Sequence, residues 1–187
     1  KVGKGVVSDK HTSDFWVFEG IDGRDYAVTG TWGADGTSYF WDVTDPANIK
    51  KIDSVKVDAR TVNDVKVSQD GRISVIGREG ASDRKNGIIV LDVSNPYDVK
   101  ILSEYTKNLT GGVHNVFIDN DHVYALSGSQ RYYIINIKDP KNPVEVGMFE
   151  VGKEGQSIHD VWIEDGIAYS SNWRDGVYLV DVGNGIA

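Results

Sequence analysis

Apolar and polar residues alternate along most of the chain, in runs of about five to seven residues, a normal strand length, broken by Gly, Asp, Asn and Pro. Asn63-Asp64-Val65-Lys66-Val67 places its apolar side chains at every second position, the period of a strand with one buried face. The pattern predicts strands over 13–18, 25–30, 39–43 and 50–57, with turns between them such as Asp22-Gly23. The same order then returns over 63–67, 72–77, 88–93 and 99–105, and again over 114–118, 123–127, 132–137 and 144–151. A last set covers 159–163, 167–171 and 177–182, without a fourth strand. No helical period appears, and Tyr, Val, Ile, Thr and Trp dominate the runs, as they do in strands.

The third strand of each set carries the clearest text. GIIVLDVSNP at 87–96 is matched by SYFWDVTDP at 38–46, YYIINIKDP at 132–140 and the altered VYLVDVGNG at 177–185. Its acidic position falls at Asp42, Asp92, Asn136 and Asp181, spaced by 50, 44 and 45 residues. A first-strand position, at Asp14, Asp64, Asn115 and Asp160, is spaced by 50, 51 and 45. The four prolines, at 46, 96, 140 and 143, all lie in the turn after a third strand, where a fixed φ suits the bend and no ladder N–H is needed. A four-strand period of this length is that of β-propeller blades. The expected fold is all-β: a propeller of four-stranded antiparallel blades, about four in this chain, in one domain over 1–187. The blades are placed at 13–57, 58–105, 106–151 and 152–187. Two arrangements fit: a closed small ring with residues 1–8 as the closing strand, or part of a larger propeller. The abrupt GNGIA ending and the absence of an initial Met favour the second.

The segments IIVLDVSNP, YYIINIKDPKNPVEVGMFEV and VYLVDV resemble the repeat of LVIVD-type β-propeller proteins, in which such a strand precedes a D/N-P turn and a strand ending near a Val-Gly pair, here Val146-Gly147. Asn136 departs from the acidic position and Gly183-Asn184-Gly185 from the proline turn. The resemblance covers about residues 13–187. It implies export to a periplasmic or extracellular setting, and implies no reaction.

Composition narrows the function classes. A net charge of −8 argues against nucleic acid and anionic membrane surfaces as partners. With no cysteine in the chain, disulfides and Cys-based metal sites are excluded. No apolar run approaches the roughly 20 residues of a spanning helix, so no direct membrane span is expected.

Candidate chemistry gathers where first strands begin. Asp64, His114, His159 and Asp160 offer imidazoles and carboxylates for a divalent metal or acid–base work. Because these positions recur with the repeat, the favoured expectation is structural: the side chains cap backbone groups between neighbouring blades. His11 and His122 are read as solvated, and Trp16 and Trp162, at like positions in first strands, as core. Trp32 and Trp173 fall in or near turns, where exposed Trp is enriched at contact surfaces. The polar insertion 78–86, with Arg78 and Arg84, breaks the symmetry and reads as a recognition loop. No phosphate loop and no nucleophile elbow occurs. The expected function is therefore a non-enzymatic scaffold without a cofactor, binding a protein partner such as a membrane-associated complex in the cell envelope. The alternative is a metal- or ligand-binding propeller with hydrolase-like activity at its central channel.

Overall fold

Four successive stretches of the chain each fold into an antiparallel meander in the computed structural model, which describes residues 1–7, 10–33, 35–152 and 155–183. The first unit comprises β1 (His11–Glu19), β2 (Asp25–Trp32), β3 (Thr37–Asp42) and β4 (Lys50–Lys56). The second comprises β5 (Thr61–Val67), β6 (Ile73–Glu79), β7 (Gly87–Asp92) and β8 (Lys100–Tyr105). The third holds β9 (Val113–Asp119), β10 (His122–Ser127), β11 (Arg131–Asn136) and β12 (Val144–Glu150). The fourth holds β13 (Asp160–Glu164), β14 (Ile167–Ser171) and β15 (Val177–Asp181), with a short 3-10 helix, Trp173–Asp175, between the last two. The fold is all-β, and no described helix is long and apolar enough to cross a membrane.

Within each unit, strands pair in sequence order. A single pairing, Thr31 with Val62, joins the first two units into one curled eight-stranded sheet. Gly30 makes this approach feasible, since a Cβ there would overlap the Val62 carbonyl. Gly77 stands in the same relation to the Val113 carbonyl of the third unit.

The recurrent acidic position has one structural job in all four units. Oδ1 of Asp42, Asp92, Asn136 and Asp181 accepts the backbone N–H two residues ahead, from Thr44, Ser94, Lys138 and Gly183, at 2.9–3.1 Å. This Asx turn needs an acceptor and no charge, which is why Asn136 serves as well as Asp. In the turns that follow, Asp45, Asn95 and Asp139 repeat the device across the proline, accepting N–H from Ala47, Tyr97 and Lys141. The altered text at 184–187 lies outside the described residues.

The core lies between consecutive sheets. Tyr26, Val28 and Phe40 of the first unit share one apolar cluster with Val65, Ile76 and Leu91 of the second. Val75, Ile88 and Val90 share the next with Val116, Val123 and Ile135. Phe117, Tyr124 and Ile134 share the last with Val161, Ile163 and Ala168. Third strands such as β7 are buried on both faces, as their unbroken apolar runs require.

First strands stand side by side, β1 against β5, β5 against β9 and β9 against β13. The closing-strand expectation for residues 1–8 is corrected. Residues 1–7 form no ladder, and Gly3 and Gly5 lie against Pro46 and the Trp41 ring of the first unit. Ser8 lies outside the described residues.

Candidate binding cleft

The starts of β1, β5, β9 and β13 converge on a cleft of about 380 Å³, lined among others by Asp14, Asp64, Lys66, His114, His159 and Asp160. A second cleft, about 430 Å³, shares His114 and His159 and adds Glu79, Ile158 and Trp173. The two form one depression at the end of the molecule where first strands begin and second strands finish. A comparable cleft of about 450 Å³ lies at the opposite end, among turn residues such as Asp70 and Asn120, and holds no histidine.

Asp14 and Asp64 are placed by alternation. Each follows a residue at the mouth of its strand and turns toward the next unit. Asp64 is 2% exposed; its Oδ1 accepts the Val65 N–H at 2.9 Å and its Oδ2 the Val116 N–H of β9 at 2.7 Å. Asp14 Oδ2 accepts the Val65 N–H of β5 at 3.4 Å. The Lys66 ammonium bridges both carboxylates, at 2.9 Å to Asp14 and with a short contact to Asp64, and lies over the Trp16 ring. Burial, with the Asp14 carboxyl beside it, pushes Asp64 up to about 8. Burial opposes ionisation of Asp14 too, but its hydrogen bonds to Asp64 and Lys66 hold it below the usual carboxylate range. These groups lock sheet to sheet, the structural role favoured by their recurrence.

His114 is different. Glu79 Oε1 lies 3.0 Å from its Nδ1. A carboxylate only accepts, so Nδ1 carries the proton and Nε2 keeps the free lone pair in the neutral ring. Asn63 Nδ2 lies 3.1 Å from the same nitrogen and donates to the His114 carbonyl at 2.8 Å, fixing the start of β9. The hydrogen bond to Glu79 raises the imidazole above its ordinary value, against the opposing effect of burial. The His159 ring stands edge-on to His114, centroids 5.3 Å apart, and Trp173 stands edge-on to His159 at 4.7 Å. Among the described residues, no three His, Asp or Glu side chains converge as a metal site requires. In the Glu79→Gln variant, the His114 imidazole should titrate closer to the ordinary value. A proton NMR titration measures it, and an unchanged midpoint would break the assigned pairing.

Trp173 is 67% exposed and sits at φ 39°, a left-handed backbone rarely tolerated by a bulky side chain. Trp32, 52% exposed, ends β2 on the same end of the molecule, its ring 6.1 Å from that of His11. His11 thus opens β1 and is exposed. Trp162 corrects another expectation: Trp16 is half-buried against the core, but Trp162 is 51% exposed, and no sheet among the described residues covers its face.

The loop at 78–86 is pinned rather than free. Ser82 donates to Asp58, Asn86 Nδ2 donates to the Thr110 carbonyl at 2.7 Å, and the Ala81 N–H donates to Asn86 Oδ1. Arg78 departs from its expected binding role. It is 3% exposed, its guanidinium donating to Glu104 and to the Asn86 carbonyl. Arg84 remains exposed at the loop tip. Glu79 was not singled out in the sequence. The available signal was its position two residues after Gly77, where the first unit has Trp32 two residues after Gly30.

No family model matches the chain, and no curated protein matches it. Among solved structures, the X-ray structure of a hypothetical selenium-binding protein from Sulfolobus tokodaii is similar, with a TM-score of 0.67 and 15% identity. The match covers 86% of this chain and 46% of that one, so the chain spans less than half of that protein's length, and the likeness is one of fold.

Proposed function

We propose that the chain is a four-unit portion of a β-propeller of the LVIVD-repeat type, exported to the periplasm or cell surface, that serves as a protein-interaction scaffold. The observation that carries this reading is Trp173, largely exposed on a left-handed backbone at the rim of the cleft. A bulky aromatic held in solvent at a conformational cost is what a contact hot spot looks like. Trp32 lies on the same end, and Arg84 adds an exposed cation there. Loops at this end are tied across units: the Gly33 N–H donates to Thr61 Oγ1, and Asn86 Nδ2 donates to the Thr110 carbonyl. The partner contacts this end, and an envelope or membrane-associated assembly suits the export setting. In an affinity measurement with the partner purified from the native source, Trp173→Ala weakens binding at least about tenfold, as hot-spot truncations do, with unchanged circular dichroism. Full binding by the Trp173→Ala, Trp32→Ala double variant would remove the end surface as the contact.

A second reading rests on the Glu79–His114 pair. A carboxylate that fixes a histidine tautomer and leaves Nε2 free is the usual support of a metal-ligating imidazole, and His159 stands beside it. On this reading a divalent cation such as Zn²⁺ raises the melting temperature of the wild-type protein but not of His114→Ala, His159→Ala. No shift in either protein dismisses it.

A further inference from the structure

Buried polar groups without a protein partner gather at one junction. Among the described residues, the buried side-chain atoms that make no hydrogen bond are Arg78 Nε, Asn115 Oδ1, Tyr132 Oη, Ser170 Oγ and both polar atoms of the Asn172 amide. All but the first belong to the third or fourth unit. Tyr132, Ser170 and Asn172 are each 1% exposed or less. Tyr132 and Ala168 share the apolar cluster between these two units. Ser170 follows Ala168 by two residues on β14 and turns the same way, while Tyr169 and Ser171 point outward and are exposed. Asn172, buried directly after the strand, continues the alternation. The Ser170 hydroxyl stands near the Tyr132 phenol, without a hydrogen bond between them.

The same positions are paired or apolar in other units. Ser170 lies opposite Tyr178 of its third strand, as Thr29 lies opposite Tyr39, Ile76 opposite Ile89 and Ala125 opposite Tyr133. Thr29 Oγ1 accepts the Trp41 indole N–H at 3.0 Å, and Ile76 and Ala125 have no side-chain polar group to satisfy. Two residues on, Thr31 Oγ1 donates to the Thr37 carbonyl at 2.8 Å, and the Arg78 guanidinium donates to Glu104 and the Asn86 carbonyl. In the fourth unit the hydroxyl and the amide at these positions meet no protein group. A buried donor or acceptor left unmet is costly, and native interiors satisfy theirs with protein or ordered water. Two hydroxyls and an amide supply the about two to four partners that a buried water takes. All three are neutral: burial pushes the Tyr132 phenol up to about 12, so it keeps its proton and can donate it.

We propose that ordered water occupies the junction between the third and fourth units, bonded to Tyr132 Oη, Ser170 Oγ and the Asn172 amide, and that it holds the turn presenting Trp173. Asn172 begins that turn. Its N–H donates to the Gly176 carbonyl and its carbonyl accepts the Asp175 N–H, both at 2.7 Å, while its side chain makes no cap. Holding the amide from the interior fixes the backbone from which Trp173 projects. Asn172 is therefore a positioning residue. The inference goes beyond partner binding at Trp173 and does not depend on it.

A crystal structure of the 187-residue chain at a resolution that orders solvent tests it. The expected result is water within hydrogen-bonding distance of at least two of the three side chains. Ser170→Ala, which places there the residue that the third unit has at Ala125, lowers the melting temperature by about 2–4 °C, as loss of one hydrogen bond does. In fluorine NMR of fluorotryptophan-labelled protein, Ser170→Ala also moves the Trp173 resonance, assigned with Trp173→Phe, and leaves that of Trp41 in place. A dry junction, a direct bond between Ser170 and Tyr132, or a Ser170→Ala protein that melts at or above wild type overturns the water site. An unmoved Trp173 resonance overturns its positioning role. None of these results touches the contact of a partner with Trp173, so the two readings fail separately.

Discussion

Asp64→Ala lowers stability by about 3 kcal/mol, a fall of about 6–12 °C in melting temperature for a chain of this size. The carboxyl is almost fully buried and holds the Val65 and Val116 N–H groups and the Lys66 ammonium. Its removal strands a backbone donor of β9 and takes one of two carboxyl partners from a largely buried cation. Asp14, still 2.9 Å from Lys66, keeps the loss at the lower end of the usual range for a broken buried pair. The pH dependence follows from the raised Asp64 value. The folded state keeps a proton that the unfolded side chain, ordinarily near 4, has released. The resulting stability is full below about pH 4 and lost as pH rises through about 8. His114 acts in the same sense above its ordinary value, while Asp14 acts only in acid, where its lowered carboxyl is protonated. The melting temperature therefore falls between about pH 4 and about pH 8, and Asp64→Asn flattens the fall while keeping an acceptor. A flat wild-type profile, or an Asp64→Ala protein melting within about 2 °C of wild type, would contradict the assigned network.

Phe40→Ala costs about 3–5 kcal/mol in urea unfolding. Phe40 is fully buried between the first and second units, and sheets that pack face to face cannot collapse into the space left behind. Ile101, on the outer strand β8 and 53% exposed, serves as the comparison. Ile101→Ala changes stability by less than about 0.5 kcal/mol. Equal losses from the two substitutions would place the core somewhere other than between the sheets.

The strands were legible because their alternation and turn residues are local. Asp42, Asp92, Asn136 and Asp181 were readable as structural for the same reason: each bonds two residues ahead, so a repeat in sequence is a repeat in geometry. The cleft was legible only in part. His114 and His159 were found because first strands converge, but Glu79 reaches His114 from 35 residues away, across a junction that no local period encodes. Arg78 looked like a loop cation, yet its side chain folds inward to Glu104 on β8. The exposure of Trp162 was hidden for a related reason. Its position matches Trp16, and what separates their environments is that no sheet among the described residues covers Trp162.

The interaction role of the Trp173 end is tested most directly by photo-crosslinking in an extract of the native source, from a photoreactive residue at position 173 or 32. Position 70, in a turn at the opposite end, is the control. The expected result is one and the same protein attached at 173 and 32 and absent at 70. Labelling from 70 equal to that from 173, or no attachment at 173 and 32, would contradict the scaffold reading.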